Sequence, residues 1–249
     1  MNVVNFAVKG EPESIEILPI ADLHIGDKNS DWKLIVSKID YVKSTPNAYV
    51  LLLGDLLDCA TKSSVGDIYS ASMNVNEGLN TLAALLGPIS DKIISIIGGN
   101  HEARVYRMEG LDVTEQLAHR LGIIERYSAE TVVVQLTVNK VTYKLYCSHG
   151  SGSGRKIGSK ANRLLELSDI VEGCDAYIQA HTHCPIVTRK TRLEATKNGK
   201  LIPREMLFVN CASALKYGGY GEIQGFSPTS MVNPTINLNG NARFAWAAL

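Results

Sequence analysis

Five apolar runs along the chain each stop abruptly in residues able to ligate a metal: IEILPIADLH (15–24), YVLLLGDLLD (49–58), KIISIIGGNHE (92–102), YKLYCSHG (143–150) and AYIQAHTH (176–183). Runs this short, without alternation, predict strands buried on both faces. Helical spacing takes over elsewhere. Trp32, Ile35, Val36, Ile39 and Val42 recur behind a Ser30/Asp31 cap and stop before Pro46, predicting an amphipathic helix. A second helix is expected from Asp112, which stands three residues before Glu115 in capping-box spacing, through TEQLAHRL to a stop at Gly122. Two β-hairpins are predicted: TVVVQLTV and VTYKLYC flank Asn139-Lys140, and RKTRLEAT and KLIPREMLFV flank Asn198-Gly199. Strands thus interleave with helices, an α/β pattern. In such sheets functional side chains gather beyond the carboxyl ends of the strands, so five strand ends are expected to converge on one site.

Composition narrows the picture. At 249 residues and 45% hydrophobic content, one substantial core in a single domain spanning 1–249 is expected. The 25 basic residues balance the 25 acidic ones, which removes any long-range pull toward nucleic acid or an anionic membrane. The start MNVVNFAVKGEPESIEI has no basic segment followed by a long apolar one, and no later run approaches a membrane span. A soluble, intracellular (cytoplasmic) protein is the expectation. Cys59, Cys147, Cys174, Cys184 and Cys211 are odd in number, scattered and without a CxxC pair, and are read as reduced thiols. No repeat or linker divides the chain, and the glycine-rich SHGSGSGRKIGSK (148–160) reads as functional.

The chemistry lies at the strand ends. Asp22 and His24 form a DxH pair; on an extended segment alternate side chains point the same way and grip one cation. Gly54-Asp55 sets a carboxylate directly after an apolar strand, with glycine permitting close approach, and places Asp55 to bridge two cations. In Gly98-Gly99-Asn100-His101-Glu102 the Asn100 amide oxygen is a usable ligand and His101 is left free for proton work, while Glu102 has no evident role. His149 follows in SHG, and His181 and His183 are again two apart. Five of the six histidines sit at these strand ends; His119, inside the second predicted helix, is read as structural. Three carboxylates including Asp58, one amide and four imidazoles besides His101 exceed what one four-coordinate zinc needs, so two metals fit better. Oxygen and nitrogen donors without thiolate suit manganese, iron, zinc and similar ions.

Taken in order, DxH, GDxxD, GNHE, HG and HTH resemble the calcineurin-like metallophosphoesterases over roughly residues 15–190. The resemblance implies a four-layer sandwich of two mixed β-sheets flanked by helices, with the site at one edge. It also implies that Asp22, His24 and His183 hold one divalent metal and Asn100, His149 and His181 the other, with Asp55 bridging. Manganese stands first, with iron, zinc, nickel, cobalt or magnesium as alternatives. Asp58 would orient His101, the acid for the leaving group, while a metal-bridging hydroxide attacks phosphorus. Ala180 departs from the glycine usual before HTH, which adjusts backbone approach without removing a ligand. Arg104, Arg155 and Lys156 are candidates for substrate binding, with Arg107, Lys160 and Arg163 beside them; Tyr217 is a candidate rim for a base. The implied function is hydrolysis of a phosphodiester or phosphomonoester of nucleotide type. A DNA or RNA nuclease is the alternative, and a noncatalytic protein-binding scaffold a lesser one.

Overall fold

The computed structural model describes residues 1–61, 71–152 and 154–249. The five apolar runs form strands, and they divide between two sheets. Strands β1 (Asn2–Ala7), β6 (Thr131–Val138), β7 (Val141–Ser148), β8 (Ala176–Gln179), β10 (Leu201–Asn210) and β9 (Ile186–Ala195) lie side by side in that order. The second sheet runs β12 (Ala245–Ala248), β11 (Thr235–Asn239), β2 (Ser14–Ile20), β3 (Ala48–Leu53), β4 (Ile93–Ile97) and β5 (Tyr127–Ser128). Both sheets are mixed. β2, β3, β4 and β5 are mutually parallel, as are β7, β8 and β10, while both predicted hairpins are antiparallel with Asn139 and Gly199 at positive φ in their turns.

Alternation along the strands decides what each face meets. Ile17, Leu51 and Leu53 turn inward with Ile94 and Ile97, against Val132, Val134, Leu145, Ile178 and Val209 of the facing sheet. Their neighbours Leu18, Ile20, Val50 and Leu52 turn outward against helices α1 (Trp32–Ser44), α2 (Val75–Leu86) and α4 (Val113–Leu121). Tyr146, Tyr177 and Phe208 turn outward on the other sheet against Leu164 and Leu167 of α5 (Ile157–Ile170). Strands buried on both faces explain why these runs are apolar throughout rather than alternating. The layers are therefore helix, sheet, sheet and helix, as expected.

Helix α1 is capped by Asp31, whose carboxylate accepts from the Leu34 amide. Trp32 is exposed rather than part of the buried stripe, and Lys38 is buried in its place. The helix expected from Asp112 is α4, and it is preceded by α2 and by α3 (Glu102–Glu109), neither of which the apolar spacing marked. Asp112 both caps α4 through the Glu115 amide and accepts from the Tyr127 hydroxyl. Asp112→Ala is expected to cost about 1 kcal/mol for the cap and about 1 kcal/mol more for the lost hydroxyl partner. At roughly 2–4 °C per kcal/mol for a chain of this size, a calorimetric scan that showed no fall in Tm would contradict the role given to this carboxylate.

All five cysteines are unpaired, four of them buried. Among the described residues no helix is long and apolar enough to cross a membrane.

Candidate metal centre

The carboxyl ends of β2, β3 and β4 in one sheet and of β7 and β8 in the other open onto the same place. Asp22 and His24 follow β2, Asp55 and Asp58 follow β3, and Asn100 and His101 follow β4. His149 follows β7, and His181 and His183 follow β8. Neither DxH nor HTH is extended, contrary to the sequence expectation. Asp22, His24, His181 and His183 all have positive φ, at 50°, 46°, 66° and 52°, as does Asp55 at 48°. Side chains in this left-handed region are uncommon and concentrate at functional sites, where surrounding structure holds them. Here that structure is backbone pairing between the loops. The Asp22 amide donates to Gly54 O, His24 to Asp55 O and Ala214 to Asp22 O.

Three groupings result. The ligand atoms of Asp22, His24 and His183 lie within 4.8 Å of one another, as do those of Asp55, His149 and His181. Asp55 stands between them: its Oδ2 is 3.2 Å from His149 Nε2 and 4.0 Å from His24 Nε2. Asn100 Oδ1 is 3.1 Å from His149 Nε2, which places the amide oxygen in the second group. The third grouping is His24, Asp58 and His101. His101 Nδ1 lies 2.7 Å from the Asp58 backbone oxygen and 3.1 Å from its Oδ1.

The charges fit cations. Burial opposes ionisation of Asp22 and Asp55, yet His183 in the first case and His149 in the second outweigh it and hold both carboxyls below their usual range. Burial pushes His24 down to about 3, and burial followed by the charge on His149 lowers His181, so both imidazoles stay neutral. Carboxylates and neutral imidazoles are the forms that ligate metals. His149 is held protonated, up to about 9 against its burial, by the hydrogen bond to Asp55. A cation entering there would displace that proton. His24 Nδ1 is buried without a hydrogen-bond partner, and buried Asp22 Oδ1 has only the ion-pair approach of His183 Nε2 at 3.2 Å, an arrangement that a metal site explains. Thiolate is missing from the set, which speaks against soft ions.

The family profile of the calcineurin-like phosphoesterases matches residues 15–185, which contain every residue of these three groupings. The chain belongs to this family. No curated protein matches it by sequence. Among solved structures it is similar to a conserved protein of Streptococcus pneumoniae TIGR4, a predicted phosphoesterase, at 15% identity and TM-score 0.39, covering 94% of this chain and 97% of that one. A metallophosphoesterase from Sphaerobacter thermophilus is 14% identical at TM-score 0.42, with 94% and 86% covered. Chaetomium thermophilum Vps29 is 13% identical at TM-score 0.41, with 95% and 96% covered. Membership in the calcineurin-like phosphoesterases supports a hydrolase of phosphate esters with clusters able to hold divalent metals.

The basic residues anticipated around the rim separate. Arg104 lies against His101, its two terminal nitrogens 3.2 and 3.0 Å from Nδ1 and Nε2 of the imidazole. Arg155 instead stacks over the Phe226 ring at 5.3 Å, and Lys156 is the exposed N-cap of α5. Lys160 donates to Thr182 O and Arg163 to Ser151 Oγ, bracing the glycine-rich loop, of which Ser153 lies outside the described residues. Arg107 donates to Ala103 O of its own helix, and His119 is exposed on α4. Tyr217 is exposed three residues beyond Ala214, whose amide bonds to Asp22 O. Ala180 is fully buried and its amide donates to His149 O, so the departure from glycine is accommodated. Sequence reasoning missed Glu102, whose buried carboxylate accepts from the amides of Asp55, Leu57 and Gly99. Its place directly after His101 was the available signal, and nothing in the sequence said which atoms it would meet.

Proposed function

We propose that this chain is a two-metal phosphoesterase that hydrolyses a phosphodiester or phosphomonoester of nucleotide type. The observation that supports it most is Asp55, whose Oδ2 faces histidines of both clusters at 3.2 and 4.0 Å. Asp22, His24 and His183 would hold one divalent cation, and Asn100, His149 and His181 the other, with Asp55 shared. Manganese is the ion we would load first. Such cations polarise a phosphoryl oxygen and bring the pKa of bound water down to about 7. Everything else falls to the chain's own side chains.

His101 is placed to give a proton to the leaving oxygen. Burial works against its charged form, but the hydrogen bond to the Asp58 carboxylate outweighs it and raises the pKa, which favours the acid form. The Asp58 backbone oxygen at 2.7 Å fixes the proton on Nδ1, and Nε2, 3.0 Å from the Arg104 guanidinium, would become the proton donor once a phosphate oxygen draws that guanidinium away. Arg104 forms no salt bridge among the described residues, so its charge remains for a phosphate oxygen arriving beside His101. Arg155 and Lys156 are exposed and would meet a longer substrate.

His101→Ala is expected to slow turnover of an ester with a poor leaving group by about 10²–10⁴-fold, while manganese stoichiometry by calorimetry stays that of the wild type. Unchanged turnover would remove His101 from the acid role. The substrate is tested with manganese-loaded protein on bis-p-nitrophenyl phosphate, on nucleotides and on an end-labelled DNA duplex with a single-stranded tail. Cleavage confined to the small esters fits the balanced net charge, since phosphate neutralisation by Lys and Arg supplies most nonspecific DNA affinity. Cutting of the duplex makes the chain a nuclease instead. Absence of hydrolysis together with metal-independent binding of a protein makes it a scaffold.

A further inference from the structure

Glu102 opens α3 and is 4% exposed. Its Oε2 accepts from the Asp55 amide at 3.0 Å and from the Gly99 amide at 3.0 Å, and its Oε1 accepts from the Leu57 amide at 2.9 Å. Those three amides belong to two different loops, one after β3 and one after β4. The first loop bears Asp55 and Asp58, the second Asn100 and His101. The tie is reciprocal, because Asp55 Oδ1 accepts from the His101 amide at 2.8 Å. No lysine or arginine pairs with Glu102 among the described residues, and both carboxylate oxygens are met by backbone donors.

We propose, on the two-metal reading above, that Glu102 is a positioning residue: its carboxylate splices the β3 and β4 loops and sets the spacing between Asp55 and Asn100 before any cation arrives. Two features say that this role needs a carboxylate. Both oxygens accept from backbone N–H, so an amide in its place would turn an N–H toward an N–H at one end. The carboxyl group is also kept in an unfavourable place, 4% exposed and tied to the loop that bears Asp55. A residue needed only to fill space there would be apolar. A metal-ligand role is excluded by the direction of the two oxygens, which face backbone amides.

The test compares wild type, Glu102→Gln and Asp175→Asn, the last a control that weakens the ion pair between a buried Asp175 and an exposed Arg243 at the opposite end of β8. Manganese binding is measured by calorimetry, and amide hydrogen exchange of Asp55, Leu57 and Gly99 is followed in metal-free wild type. Glu102→Gln is expected to raise the manganese dissociation constant about 10–100-fold, the range for loss of a residue that supports ligands without touching the metal. Asp175→Asn should lower Tm and leave manganese affinity unchanged. The three wild-type amides should exchange slowly without metal. Wild-type affinity in folded Glu102→Gln, an equal loss in Asp175→Asn, or fast exchange of those amides until manganese is added would each overturn the proposal. Wild-type protein that takes up no manganese would instead overturn the two-metal reading itself.

Discussion

Asp55→Asn is expected to leave a folded protein that has lost at least about 10³-fold in turnover, since the cations' share of transition-state stabilisation is several kcal/mol and each 1.36 kcal/mol is tenfold. Asparagine keeps an oxygen for the His101 amide, now met by Asp55 Oδ1 at 2.8 Å. At the other position it presents an amide nitrogen where Oδ2 faces His149 and His24. An N–H₂ group offers no lone pair to a cation. Two signatures separate this from general damage. Manganese stoichiometry should fall, and in metal-free protein the pH dependence of stability should change. With Asp55 present, His149 is held up to about 9 against an ordinary value of 6.5. A raised folded pKa contributes stability that is fully present below the unfolded value and is lost as pH rises through the folded one. The wild-type melting temperature should therefore decline as pH rises from about 6.5 through about 9, and that decline should be shallower in Asp55→Asn. Turnover within tenfold of wild type would show that this carboxylate is not shared between cations.

The convergence of the candidate residues was legible in the sequence because they come straight off buried strands. A run such as YVLLLGD announces both the strand and the point where the chain leaves the core. Asp55 and its counterparts after the other strands therefore converge once two sheets are stacked. The left-handed backbone at Asp22, His24, His181 and His183 was not legible. It depends on amides pairing between loops far apart in sequence, as His24 does with Asp55 and Ala214 with Asp22. Residue pattern carries no trace of such pairing, and the same DxH spacing would also have suited an extended segment.

Helices were read less evenly for a related reason. α1 and α4 have a cap and an apolar stripe, and both signals are local. α3 is short and lies mostly in solvent, with only Glu102 and Val105 buried, so no apolar face marks it. Glu102 was passed over because its partners are backbone amides, which every residue possesses. Arg155 looked equivalent to Arg104 on charge alone. Only packing shows that one lies against His101 and the other over Phe226.

Gly99→Ala is expected to have the largest effect on folding of any single methyl added to the site. A Cβ at Gly99 would lie 2.2 Å from Asp55 Oδ1 and 2.3 Å from the Asp55 amide nitrogen, and a Cβ at Gly54 would lie 2.5 Å from the Gly99 nitrogen. These are distances at which atoms must move, and two of the three neighbours are backbone atoms in the middle of the fold. Overpacking of this kind costs about 1–3 kcal/mol or more, or roughly 2–12 °C in Tm at 2–4 °C per kcal/mol for a chain of this size. Relief by separating the two loops would also break the Glu102 and Asp55 ties between them, so manganese affinity should fall together with Tm. Gly110→Ala, at a helix C-cap with nothing within 4 Å of the added methyl, is the comparison for a glycine whose need is only its φ of 69°. It should lose about 1–2 kcal/mol from left-handed strain and keep its manganese affinity. If Gly99→Ala lost stability but bound manganese like the wild type, the close approach of the two loops would be a packing feature alone, and the spacing between Asp55 and Asn100 would be set elsewhere.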